Sequence, residues 1–505
     1  MKPNRKNLLL AAISLTLSAP SVHAGQIWDG GGVNDNFTSP ANWDGNVSPN
    51  WTLAGGITFT GETRTTPVNN LTADSVVAGI NFTNDGSAGK TAAFNLTGAG
   101  NRITLGGNIV TTASSSTITD TIGLNMILNS GRTINTGLDH NLNITGIISQ
   151  DASNRNLTKQ GAGTLTLSNT ANTFAGQVLS DSGTIQVTKL QNNGTASSIG
   201  AGTGSIRLGN DATATLEYIG TTDSSTNKVI QIGTNNNTNT GSATILNNGS
   251  GKLTFTAANF NANAGGGTTV ARALTLGGTY TGAANEIQGV IQDHNTVGGG
   301  TVSLTKAGAS TWTLSGTNTY TGATNVTGGT LVVDGNISTS VLTTVSSGAT
   351  IGGSGTVGAL TVLDGILAPG NSPGTFDTGT LTLSGASVSA FEFNPSDTTV
   401  GSLINDLINV TGNLTLDGIL NVVATSGDFL AVTAGTTWRL FDYTGTLTDN
   451  GLTLGSMPSL GGGLVWEIDT ATTNQVNLAV TVIPEPGAAL IGGLGLLALL
   501  RRRRH

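Results

Sequence analysis

Apolar and polar residues alternate in short runs from Ile57 to Val482. Leu165 and Leu167, then Ile185 and Val187, stand at every second position with Thr or Gln between them, so each run has one apolar and one polar face. Val, Ile and Thr suit a pleated strand, and the intervening Gly and Asn supply positive-φ corners. One stretch is written twice. Leu157 to Val187 and Leu304 to Val333 share Lys159/Lys306, Gly161/Gly308, Phe174/Tyr320, Gly176/Gly322 and Gly183/Gly329, and close on Ile185/Leu331 and Val187/Val333. A unit of about 45 residues that recurs with its glycines in place marks a repeat architecture.

Strands this short form one wall of a coil, and a coil without its own core must stack on its neighbours to bury its apolar face. The pattern therefore predicts an all-β parallel β-helix. Helical patterning is confined to the two ends. At ~20 to 25 residues per coil and ~4.8 Å rise, the body is expected to be about 90–110 Å long.

Composition fits a long polar solenoid. Of 505 residues, 74 are Gly, and charged residues make up 10%, against about 25% in ordinary domains. Disorder has a similar composition, but the regular recurrence of Val, Ile and Leu pairs argues against it. Cysteine is absent, which removes thiolate catalysis and cysteine metal sites and leaves a backbone ladder and an apolar stack to hold an exported chain. The net charge is −8. Seven of the 20 basic residues lie at the ends (Lys2, Arg5, Lys6 and Arg501 to Arg504), with one of the 28 acidic ones (Glu485), so the middle carries −14. No nucleic-acid partner is expected of such an acidic body, and no attraction to an anionic membrane.

The first 24 residues read as a secretory signal peptide: Lys2, Arg5 and Lys6, an apolar core from Leu8 to Leu17, and Val22-His23-Ala24, with cleavage between Ala24 and Gly25 by signal peptidase. At the other end Pro484, Glu485 and Pro486 precede an apolar run from Gly487 to Leu500, then Arg501, Arg502, Arg503, Arg504 and His505. As a helix the run is roughly 21 Å, short for a hydrocarbon core of ~30 Å, but it crosses with its flanks in the headgroups and the arginines snorkelling. The arginines keep that end cytoplasmic and the body outside. These residues resemble the PEP-CTERM sorting signal of Gram-negative bacteria. The resemblance implies recognition of Pro484, Glu485 and Pro486 by exosortase, removal of the helix, and Arg501 to Arg504 as the cytoplasmic stop. A plain tail anchor is the alternative, and the membrane is met only through this helix before processing.

Three of the six Trp residues, Trp28, Trp43 and Trp51, fall near the N-terminus among Gly and Asn. They suit a cap over the open end of a solenoid; stacking on sugars is the other reading. The doubled stretch, with Ala368-Pro-Gly-Asn-Ser-Pro-Gly374, resembles the autotransporter-associated β-strand repeat and a motif of the same passengers. That resemblance implies a right-handed parallel β-helix. The translocator barrel of an autotransporter is missing from the pattern, so self-export is not expected. The expected organisation is a signal peptide (1–24), an N-terminal cap (25–56), a β-helix (57–390), C-terminal coils or a β cap (391–482) and a sorting signal with a transmembrane helix (483–505).

Patterns that could carry catalysis are few along the chain. Gly353-Ser-Gly-Thr-Val-Gly358 fits G-x-G-x-x-G by letter, but a strand follows it where a phosphate cradle needs a helix. Neither Asp139-His140 nor Asp293-His294 is a ready dyad, because neighbours on a strand face opposite ways, and both pairs read as surface loops. Asp377, Asp397, Asp406 and Asp428 are spread singly, and glycoside chemistry needs paired carboxylates. No catalytic residue, metal or cofactor is assigned. The expected protein is an exported, non-enzymatic surface or matrix component, structural or adhesive in biofilm exopolysaccharide. It passes through an inner-membrane intermediate to the cell surface. A polysaccharide-active enzyme or a carbohydrate-binding protein on the same scaffold, the latter using Trp28, Trp43 and Trp51, is the alternative.

Overall fold

The computed structural model describes residues 26–83, 92–98, 100–210, 212–234, 240–262, 270–293, 300–401 and 403–483. The expected signal helix, the C-terminal helix and the residues assigned to sorting lie outside these. Among the described residues no helix is long and apolar enough to cross a membrane.

The chain is all-β, and its strands pair in parallel from coil to coil. One wall is an unbroken 16-stranded sheet, from Val68–Asn69 to Leu447–Asp449. A second, 11-stranded wall runs from Ile27–Trp28 to Val290–Gln292. A third comes in two pieces, four strands ending at Ile148–Gln150 and ten beginning at Ser224–Thr226. Past residue 318 a seven-stranded sheet takes over from the second wall, with Thr319 N donating to Ile291 O and Asn318 N to Asn336 O. Turns that form all three walls take them in the same order, and between Ile148–Gln150 and Ser224–Thr226 the described strands alternate between the second wall and the long wall alone.

The period-two pattern sets which side faces in. Leu142, Leu165, Ile185, Leu216, Ile245 and Leu276 stand in register on successive strands of the long wall, each at most 1% exposed. Burying each stabilises by about 1.5–3 kcal/mol, and none of it is available to a single coil. Coil length varies widely around this lining. The long wall is regained after 17 residues between Thr343 and Leu360, but after 33 between Leu414 and Leu447. The long wall therefore spans only ~70 Å from its 16 strands at ~4.8 Å each, shorter than the pattern predicts. Residues inserted between strands lengthen the chain without lengthening the rod.

Both ends of the core are plugged by aromatics. Trp28, Phe37, Trp43, Trp51 and Phe59 cluster at the start, with Trp28 and Trp43 edge-to-face at 5.2 Å and Phe37 stacked on Trp51 at 5.7 Å. Phe393, Phe429, Trp438 and Trp466 do the same at the far end. There the parallel order breaks, and Gln475–Val482 runs antiparallel between Thr437–Tyr443 and Leu464–Asp469.

Candidate functional site

The two copies of the repeated unit fold alike. Each is a strand, a tight corner and a second strand, laid over again one coil later: Leu157–Gln160, Thr164–Leu167, Val178–Ser180 and Gly183–Val187 in the first, and Val302–Lys306, Thr311–Leu314, Thr324–Val326 and Thr330–Val333 in the second. They occupy different corners. The first lies where the 11-stranded wall meets the long wall, the second where the long wall meets the third. The unit encodes a corner, and backbone ladders at different corners are equivalent enough to accept it.

At each corner a lysine takes an inward slot. Lys159 follows Ile134 in register and Lys306 follows Leu276, and both are 0% exposed. The amines turn back on the corner. Lys159 Nζ donates to the carbonyls of Gln160, Gly161 and Ser182 at 2.8, 2.7 and 3.2 Å; Lys306 Nζ donates to Ala307, Gly308 and Gly328 at 2.9, 3.0 and 2.8 Å. An ammonium has three hydrogens, and the corner offers three acceptors. Burial pushes the two amines down, Lys159 to about 7 and Lys306 to about 8. Buried Asn172 and Asn318 repeat in the same way, each accepting an N–H from the preceding coil (Ile148, Ile291) and donating to the following one (Ser198 O, Asn336 O). The paired lysines were visible in the sequence, but their task was not, because two of the three acceptors are local and the third comes from the next coil.

The outer side of the long wall carries a lane that the unit does not explain. Thr164, Thr184, Thr215, Thr244, Thr275 and Thr305 follow one another in register. Asn325, Thr344, Thr361, Thr382, Thr415 and Thr448 continue it. Twelve rungs make a file ~50 Å long at the spacing of adjacent strands. The lane ignores the shift of the unit: Thr164 comes from the second strand of the first copy and Thr305 from the first strand of the second. The other walls have nothing like it. The 11-stranded wall shows Thr158, Leu179, Arg207 and Gln231, and the third shows Thr254, Glu286, Thr313 and Val332.

The residues singled out from sequence are dispersed. Trp28 and Trp43 are 0% exposed, with indole N–H groups donating to Arg64 O and Phe37 O, and Trp51 is partly buried against both Phe37 and Trp43. Their faces are covered by protein, so sugar stacking by Trp28 and Trp43 does not hold in this structure. His140 is not in a surface loop. It lies on His140–Ile144, fully buried, with Nδ1 2.6 Å from Thr112 O and Nε2 2.5 Å from Asp120 Oδ2. Since a carbonyl only accepts, Nδ1 is the donor to Thr112 O. The partner comes from the previous coil, which spacing along the chain does not reveal. Asp139 is exposed at φ 58°; Asp293 caps Thr321 and Val302, and His294 lies outside the described residues.

The four single aspartates do local work. Asp377 accepts from Asn409, Asp397 and Asp428 close turns at Thr399 and Leu430, and buried Asp406 ties the 368–374 corner to the third wall by accepting from Gly374 N and Glu392 N. Burial pushes Asp406 up to about 7 against those two donors. A hollow of about 210 Å³ between Pro369, Phe391, Glu392 and Asp406, and a polar one of about 470 Å³ beside Thr188, Lys189 and Thr222, lie at corners and loops. Among the described residues no group of three His, Asp or Glu side chains is placed to hold a metal.

Residues 157–187 and 304–333 match the family described as passenger-associated-transport-repeat, in line with the resemblance read from those two stretches. Over 121 residues the chain is 45% identical to a protein named adhesin BmaC autotransporter, from Brucella suis biovar 1 (strain 1330). The aligned part is 24% of this chain and 3% of that protein. The two copies thus carry an autotransporter-passenger repeat on an all-β parallel scaffold.

Proposed function

We propose that this chain is an exported, non-enzymatic surface protein, adhesive or structural outside a Gram-negative cell, built as a right-handed parallel β-helix. The observation that carries the reading is the pair of passenger-type repeats within one continuous parallel stack, supported by the 45% identity to a protein named as an adhesin. Pro484, Glu485 and Pro486 would direct it to exosortase, with Arg501 to Arg504 holding an inner-membrane intermediate before release to the surface or matrix. Extracellular polysaccharide is the proposed partner. Mass spectrometry of the mature protein from its native host tests the route: both ends trimmed, near Gly25 and near Pro484, supports it, and a chain that retains Arg501 to Arg504 rejects sorting. Attachment of cells with and without the chain to a polysaccharide-coated surface tests the role, and equal attachment rejects adhesion.

A further inference from the structure

The threonine lane has three properties that a general preference of strands for β-branched residues does not account for. It occurs on one wall, whereas the outer faces of the other two mix Leu, Arg, Glu and Val at the same depth. It persists while coil length changes nearly twofold. And it holds across the one-wall shift between the two repeat copies, so repetition of the unit did not produce it. The next outward position toward the strand start is small over several coils, as at Ser242, Ala273, Ser303 and Ala323 before Leu342. On the other side the charges are sparse, Glu217 and Asp417. The result is a long, uncharged file of eleven threonine hydroxyls and one asparagine amide at one spacing.

The geometry points to this strip as the docking surface for a linear, neutral, β-linked polysaccharide laid along the rod. The proposal rests on the adhesive reading above and names its surface. A regular file of threonine hydroxyls, broken once by the amide of Asn325, suits a polymer that repeats its own hydroxyls at a comparable interval. An anionic polymer finds no cation on the strip and is repelled by the net charge of −8. A single sugar would be held by too few contacts, whereas a chain spanning many rungs converts weak contacts into intramolecular ones.

The test is retention of the full-length chain on insoluble β-linked glucan. Thr275→Val, Thr305→Val and Thr344→Val together remove three hydroxyls and keep the strand shape; Thr158→Val, Thr254→Val and Thr313→Val do the same on the other walls. The first triple should lose ~10-fold or more in retention with an unchanged circular dichroism melt, and the second should bind like wild type. Equal retention by all three proteins, or equal loss in both triples, overturns the proposal. If the wild type adheres to cells but not to glucan, the strip is rejected and the adhesive reading survives; if it adheres to neither, the adhesive reading itself fails. Thermal hysteresis that is lost in the first triple, without glucan retention, would assign the strip to ice and also overturn the proposal.

Discussion

Replacing Lys159 by Met keeps the stem in its inward slot and removes the amine. Three carbonyls then lose a donor. A buried acceptor left unmade costs ~1–3 kcal/mol, but Gln160, Gly161 and Ser182 are only half-buried, so water recovers part of it. About 2–4 kcal/mol of local destabilisation remains for the corner, and the same is expected at Lys306. Because stability in a repeat array is a sum of local and neighbour contributions, the assay is hydrogen exchange resolved by mass spectrometry. Faster exchange should appear in Leu157–Gln160, Thr164–Leu167 and Gly183–Val187 for the first variant and around Val302–Lys306 and Thr330–Val333 for the second. The pH dependence adds a sign. The folded amines titrate at about 7 and about 8, below their ordinary 10.5. Between those values the unfolded chain holds a proton that the folded chain has released, so protection rises with pH across that window, and the Met variants flatten the rise. Unchanged exchange in both variants, or protection that falls from pH 7 to 10 only in the wild type, would refute the reasoning.

Three further outcomes are expected. Trp43→Ala should cost ~3–5 kcal/mol by opening the N-terminal plug, seen in limited proteolysis as nicking that begins in the first coils. Asp120→Ala removes the partner of buried His140 Nε2 and an acceptor of Phe94 N and should cost ~1–3 kcal/mol for each group left unmade, read as a lowered melting temperature. Gly329 has φ 61°, and a Cβ there would lie 2.5 Å from Gly308 O and Ser310 O, whereas at Gly348, with φ 69°, it would meet nothing within 4 Å. Gly348→Ala should therefore cost only the left-handed penalty of ~1–2 kcal/mol, and Gly329→Ala clearly more in the same urea titration.

The strands, their inward faces and the repeat are legible along the chain. Alternation at Leu165 and Leu167 or Ile185 and Val187 is a local property, fixed by the two-residue period of a pleated chain, and matched Gly and Lys positions are visible wherever they fall. Trp28, Trp43 and Trp51 are also close along the chain, and the structure packs their rings together. The remaining relations depend on register between coils, because insertions of different length separate residues that end up adjacent. Register brings Asp120 to His140, offers Ser182 O to Lys159 and sets the two repeat copies at different corners. It also lines up eleven threonines and Asn325, from twelve separate strands, into one file, a relation that no single stretch of the chain contains.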